Sequence, residues 1–154
     1  MYWVRIDNRL IHGQIIETWL PFTGASRLIV ANNALAEDAL QQQTMLLAVP
    51  SRITAEFVLL PDIADTVARN EINKEKSMVL VSSCGDARTI YDLGMLFTSL
   101  NIGNLHYGPE KKQICAHVAL SEDDAEQLRY LHNKGVKLDF RCVPNDHPHV
   151  KEWL

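Results

Sequence analysis

Short runs of apolar, β-branched residues alternate along this chain with stretches of helical period, and that alternation limits the fold more than any other feature. Strand signals fall at residues 2–6, 27–31, 55–60, 77–81, 100–103, 114–120 and 136–143. Helical signals lie between them. The first begins near Gly13 and stops at Pro21, because proline disfavours helical geometry in the residue before it. The second covers residues 35–49 and ends before Pro50. A third opens on Pro61 and runs through Ile63, Val67 and Ala68, a fourth covers 87–98, and a fifth runs from Ser121 to Lys134 and closes on Gly135. Ser121 and Asp124 have the spacing of a capping box. A polar loop spans residues 104–113, and residues 144–149 form a turn before a short terminal helix over Val150 and Trp153. The order predicts an α/β fold: an open, twisted, mainly parallel sheet of about seven strands, helices on both faces, right-handed crossovers. With 154 residues and no internal repeat or linker, the chain predicts one domain over residues 1–154. Periodicity alone does not encode the strand order.

Composition removes several function classes. A formal net charge of −4 argues against broad affinity for nucleic acid. No apolar run is long enough to span a bilayer, and Arg5 and Asp7 are wrong for a signal-peptide start. The expectation is a cytoplasmic chain, held at the inner face of the membrane only through a partner. Cys84, Cys115 and Cys142 are widely spaced and form no CxxC pattern, which predicts free thiols rather than a disulfide framework or a zinc site. Each is read as a small core residue. Ile15, Ile16, Trp19 and Leu20 recur at helical spacing and predict a core face, so Trp19 is read as packing.

Chemistry concentrates in the run Arg5-Ile6-Asp7-Asn8-Arg9-Leu10-Ile11-His12-Gly13-Gln14, where the first strand hands over to the first helix. A strand-to-helix turn aims backbone N–H groups and the positive end of a helix dipole at one point, a natural anion site. His12 beside Arg9 suggests phosphate, as a ligand or carried on the imidazole. Asp7 is placed to orient Arg9 or the loop rather than to act as a base, and Gly13 leaves room at the surface. Arg5 alternates into the strand and is less securely part of the site. Asn32, at the carboxyl end of the second strand, reads equally as a site residue or as a helix cap. Ser82-Ser83-Cys84-Gly85-Asp86 reads first as a loop and N-cap, and second as hydroxyls lining a phosphate pocket.

The run RIDNRLIHGQ resembles the active-site loop of the IIB subunit of sugar phosphotransferase systems, mannose/fructose/sorbose family. Val30-Ala31-Asn32, Leu100-Asn101-Ile102-Gly103, Gly135-Val136 and Val143-Pro144-Asn145-Asp146 extend the resemblance over nearly the whole chain. Two positions depart from it: Asn8, where an aspartate is common, and Asn104, where a second glycine is common. The resemblance implies that His12 takes a phosphoryl group, through Nδ1, from a phosphohistidine on a IIA partner and passes it to a sugar carried by membrane IIC and IID subunits. It implies stabilisation of the phosphoryl by Arg9, and a loop completed by Asp7, Gly13, Gln14 and Asn32. No cofactor and no metal are required. It also implies an open sheet with the first strand inside, beside the fourth. Arg9, Lys111 and Lys112 are candidates for a cationic docking rim, and His106 for a neighbour of the site, although a solvated loop histidine explains it as well.

A rival from another class is a regulatory module that accepts phosphate on His12 without sugar transport; neighbouring genes for the IIA and membrane subunits would separate the two. A metal site from His147 and His149 with His106 or Asp146 has only a weak H-x-H signal. A nucleotide-binding domain lacks both G-x-G-x-x-G and a Walker pattern. Neither the transported sugar nor the choice between a single chain and a homo-oligomer is written in the sequence.

Overall fold

In the computed structural model, which describes residues 1–147, six strands form one parallel sheet in the order β3-β2-β4-β1-β5-β8. They are β1 (Tyr2–Asp7), β2 (Arg27–Ala31), β3 (Thr54–Val58), β4 (Ser77–Val81), β5 (Ser99–Asn104) and β8 (Lys137–Asp139). The first strand lies inside the sheet and pairs with the fourth, Tyr2 opposite Ser77 through Ile6 opposite Val81, as the resemblance implies. Strands covered on both faces read as continuous apolar runs, and β4 is buried at all five positions. On one face Val4, Ile6, Val79 and Ile102 pack under α4 (Ile63–Ile72), α5 (Cys84–Asp92) and α6 (Glu122–Asn133). On the other, Leu28, Val30, Met78 and Leu80 meet Ile15, Trp19 and Leu20 of the first helix, together with Leu10 and Ile11 of the loop before it.

The sheet holds six strands, not seven. Residues 114–120 do not form one strand: Ala116 and His117 turn the chain, and β6 (Lys112–Cys115) pairs antiparallel with β7 (Val118–Leu120) in a separate hairpin. Backbone hydrogen bonds from Leu105 to His117 and from Ala119 to Leu105 tie that hairpin to the end of β5. The last strand is three residues long because side chains take over its backbone partners. Asp139 accepts the Arg141 N–H, and the Asn101 amide donates to the carbonyls of Asp139 and Arg141.

Helix boundaries differ for equally local reasons. The first helix passes through Pro21: its Ile15–Trp19 stretch is a π-turn in which the Leu20 N–H bonds Ile15 O, and it continues as α1 (Leu20–Thr23) to Gly24 at φ 69°. The widened turn displaces the ladder where proline has no N–H to give. Residues 35–49 break into α2 (Asn33–Ala36) and α3 (Ala39–Leu46), since Asp38 caps a new start by accepting the Gln41 N–H. The α5 helix starts earlier than expected, capped by Ser83, and ends before Gly94 at φ 107°. The Ser121–Asp124 capping box is present, with both of its hydrogen bonds. The terminal helix over Val150 and Trp153 lies outside the described residues.

Candidate functional site

Where β1 ends, Asp7 turns the chain. Its carbonyl accepts the Leu10 N–H (3.0 Å), its Oδ1 accepts the Arg9 N–H (3.0 Å), and the Asn8 N–H reaches back to Asn104 O (3.1 Å). Leu10 takes a left-handed backbone, φ 60°, and with Ile11 is buried against Ile15, Trp19 and Leu80. A left-handed leucine is uncommon and costly for a residue with a Cβ; here burial of the two side chains holds it. The loop is thereby pinned on both sides of His12. The His12 carbonyl accepts the Ile15 and Ile16 N–H groups, so the imidazole stands at the start of the first helix. A Cβ on the exposed Gly13 would meet nothing within 4 Å, which leaves the surface beside the ring open.

Beneath the loop lies a buried polar cluster. A strand's period of two puts Arg5 and Asp7 on one face, and they are 1% and 0% exposed. Asp7 Oδ2 receives Arg5 Nη2 (3.0 Å) and Nε (3.2 Å), Asn104 Nδ2 (3.0 Å) and His12 Nε2 (2.8 Å). The Gln14 Oε1 accepts from Arg5 Nη2 (3.0 Å) and Asn104 Nδ2 (2.9 Å), while its amide donates to Cys142 Sγ (3.2 Å). Arg5 Nη1 donates to Asn101 Oδ1 (2.6 Å). Burial alone would raise the Asp7 carboxyl. The hydrogen bonds from His12 and Asn104, the charge of Arg5 and the Arg9 N–H outweigh it, and Asp7 sits below the ordinary aspartate value. Burial also lowers Arg5, partly offset by Asp7, but a guanidinium keeps its proton. His12 is 18% exposed. Its Nε2 faces a carboxylate oxygen, which can only accept, so a neutral ring that keeps this hydrogen bond carries its proton on Nε2 and a lone pair on Nδ1.

This arrangement can hold one imidazole tautomer at a surface that another protein can reach. The sorbose-subfamily IIB model of the phosphotransferase system matches residues 1–153. The chain belongs to that family. It is 32% identical over 142 residues to N-acetylgalactosamine-specific phosphotransferase enzyme IIB component 2 of Escherichia coli (strain K12), covering 92% of this chain and 90% of that one. It is 30% identical to the fructose-specific EIIB component of Bacillus subtilis (strain 168), over 92% and 87% of the two chains. The crystal structure of the IIBSor domain of the sorbose permease from Klebsiella pneumoniae superimposes with a TM-score of 0.85 at 31% identity, over 94% of this chain and 88% of that one. IIB components of this family are sugar phosphotransferases, and they work with IIA, IIC and IID subunits. Among the described residues of this IIB chain, no helix is long and apolar enough to cross a membrane.

The residues singled out in the sequence separate into two sets. Asp7, His12 and Gln14 meet in the buried cluster, and Gly13 borders it. Arg9 is exposed, and among the described residues its guanidinium has no hydrogen-bond or ion-pair partner. Asp7 binds the Arg9 backbone rather than its side chain. Asn32 caps α2 by accepting the Leu35 N–H (2.9 Å) and donates to Ser82 Oγ (3.2 Å), so its polar atoms are used away from the loop. Ser83 caps α5 through the Asp86 N–H. Lys111 Nζ lies 3.4 Å from His106 O and 3.8 Å from an Asp124 oxygen, on the hairpin side, and Lys112 is exposed. Asp146 accepts the Cys142 and Val143 N–H groups, and His149 lies outside the described residues. Among those described, no group of three His, Cys, Asp or Glu residues could hold a metal.

Four participants escaped the sequence reading: Arg5 at full weight, Asn101, the Asn104 side chain and Cys142. Arg5 was open to detection, since it shares a strand face with Asp7. Asn104 was not. The β1–β5 register slips by one between Ile6 and Asp7, with Gly103 the additional residue, and such a bulge re-aims the next side chain. That turns Asn104 onto the face of Asp7.

The depressed Asp7 value has a pH consequence. The folded carboxyl ionises at lower pH than the unfolded one, so its contribution to stability is full above the ordinary aspartate range, about pH 4, and is lost as pH falls through the lower folded value. Urea midpoints measured from neutral to acid pH should fall less steeply at the acid end for Asp7→Asn than for the unsubstituted chain. Parallel acid limbs would assign the loss to other carboxylates.

Proposed function

We propose that His12 is the phosphoacceptor of this IIB chain. The neutral Nδ1 lone pair attacks the phosphorus of a phosphohistidine on a IIA partner; the donor's P–N bond breaks and its electrons return to the donor ring. In the second transfer a hydroxyl oxygen of a sugar held by the membrane subunits attacks the same phosphorus. That hydroxyl gives up its proton to a base of the membrane subunits or to solvent, and the pair in the N–P bond returns to Nδ1. The observation that carries this reading is the 2.8 Å contact between His12 Nε2 and the buried Asp7 carboxylate, which supports Nδ1 as the nucleophile. As the ring gains positive character on phosphorylation, the fixed carboxylate stabilises it without having to move, the role an orienting aspartate plays for catalytic histidines.

Arg9 supplies the other half. Its exposed guanidinium, without a partner among the described residues, suits paired hydrogen bonds to the oxygens of a phosphoryl arriving from outside. Gly13 leaves room for the donor surface, and Arg9 gives the rim cationic character. Positioning and electrostatics are the main needs of phosphoryl transfer, and both are met by this chain's side chains.

Intact-mass measurement after incubation with a phosphorylated IIA subunit tests the reading. The chain should gain one phosphoryl group, mapped to the peptide containing His12. Arg9→Lys should slow the transfer about tenfold or more, because a lysine cannot make the paired contacts, while docking weakens less. A phosphoryl mapped elsewhere would remove the phosphoacceptor assignment, and unchanged transfer would reduce Arg9 to a bystander.

A further inference from the structure

Arg5 is a full positive charge in the floor beneath His12, and its surroundings leave it one position. Nη1 donates to Asn101 Oδ1 at 2.6 Å and lies 3.4 Å from Arg141 O; Nη2 donates to Gln14 Oε1. The guanidinium lies against the backbone of Gly103, where a Cβ would stand 2.0 Å from Cζ. Its Cζ is 5.1 Å from the centroid of the Trp19 ring, within cation–π range. Asp139, the other nearby carboxylate, is occupied by Arg141 at 2.8 Å. Arg5 is therefore committed to Asp7, through two nitrogens on the oxygen that also binds His12 Nε2.

A buried ion pair is weak evidence for stability, since desolvation can cancel its Coulombic gain; its better-attested use is to fix an arrangement. Here two rotations need fixing. The Asp7 carboxylate can turn about its own bond, and the His12 ring can turn to offer either nitrogen. Besides Arg5, the carboxylate has one N–H on each oxygen, that of Arg9 on Oδ1 and that of Asn104 on Oδ2, and both come from loop or strand-end residues. Arg5 adds two N–H groups and a full charge on Oδ2, the oxygen that His12 uses, which fixes that oxygen in place, and the fixed carboxylate then restrains the ring.

We propose that Arg5 is a positioning residue for phosphoryl transfer: seated against Gly103 and Asn101, it locks the Asp7 carboxylate so that His12 keeps its proton on Nε2 and turns Nδ1 outward. The kinetic part rests on His12 being the phosphoacceptor; the tautomer does not. The charged and titratable groups around the pair are Arg9 on the loop, Asp139 and Arg141 beside β8, and Cys142, and none of them replaces Arg5 on Asp7.

The test is nitrogen-15 NMR of the full chain with labelled histidine, about two pH units above the ordinary imidazole value, alongside transfer kinetics from a phosphorylated IIA subunit. The unsubstituted chain should show His12 as the Nε2–H tautomer. Arg5→Lys should show a mixture of both tautomers, with kcat lowered about 10- to 100-fold, as for loss of an orienting partner, and KM for the IIA subunit within about twofold. Should that variant fail to fold, Asn101→Ala, which removes the seat and keeps both charges, is read in the same two ways. An Nδ1–H tautomer in the unsubstituted chain overturns the proposal. So does a folded variant that keeps a pure Nε2–H ring and unchanged kcat. Because the tautomer is read without a phosphoryl donor, labelling that misses His12 would refute the phosphoacceptor assignment without altering this result.

Discussion

His12→Ala should take up no phosphoryl group from a phosphorylated IIA subunit while keeping its fold. The imidazole makes one side-chain hydrogen bond among the described residues, to Asp7, and it borders solvent. Removing it leaves Asp7 Oδ2 with the donors of Arg5 and Asn104, so no buried charge is orphaned. The stability lost is therefore that of one ordinary hydrogen bond, about 1 kcal/mol. The transfer lost is complete, because nothing else in the cluster can form a phosphoramidate: Arg5 and Arg9 keep their protons, and Gln14 and Asn104 are amides. Intact mass reads the transfer and a urea midpoint the stability. Labelling of the variant at the level of the unsubstituted chain would send the search to another nucleophile.

Gly103→Ala should be the most destabilising single methyl the chain can acquire near the site. The new Cβ would stand 2.0 Å from Arg5 Cζ and 2.2 Å from Nη1 and Nη2. The guanidinium cannot step aside without leaving Asn101, Gln14 and Asp7. Nor can β5 retreat without breaking the pairing of Arg5 with Asn101 and of Ile6 with Ile102. Either route costs on the order of 3–5 kcal/mol, the scale of separating a buried ion pair, above the 1–3 kcal/mol usual for overpacking. Gly13→Ala is the matched control: its Cβ enters open space, and the variant should be no less stable than the unsubstituted chain. Chemical denaturation of the pair decides the matter. A Gly103→Ala variant within about 1 kcal/mol of the parent would mean that Arg5 can move without loss.

What the chain disclosed before its structure follows from how local each signal is. Strand and helix identities were legible because apolar runs and caps are short-range. Pro61 opens a helix, and Ser121 caps one. The boundaries that differed depend on partners far away in sequence. β8 stops at Asp139 because Asn101, on β5, takes the carbonyls that follow. After the turn at Ala116 and His117, the second arm of the hairpin pairs with Leu105 at the end of β5, a partner remote in sequence. The same division runs through the site. The loop from Asp7 to Gln14 could be read in one stretch. The donors that hold Asp7 from β5, and the contacts from the segment around Cys142, needed the folded sheet and a one-residue bulge. Asn32 shows the converse: its position at a strand end leaves site residue and helix cap equally open, and only the folded chain shows its side chain accepting the Leu35 N–H at a helix start.

The placement of β1 has one more consequence, for how the molecule comes into being. The strand lies in the middle of the sheet, between β4 and β5, whose residues come off the ribosome only after Lys76. During synthesis the segment bearing His12 must wait, its Val4 and Ile6 uncovered, while more than half the chain emerges. Such long-range pairing favours slow assembly and exposes apolar strands to aggregation. The loop acquires its bonds to Asn104 and, through Gln14, to Cys142 only when the distant segments arrive. Nascent chains truncated before that point have the histidine and Asp7 but lack Asn104, Asn101 and Cys142, which hold the cluster from the other strands.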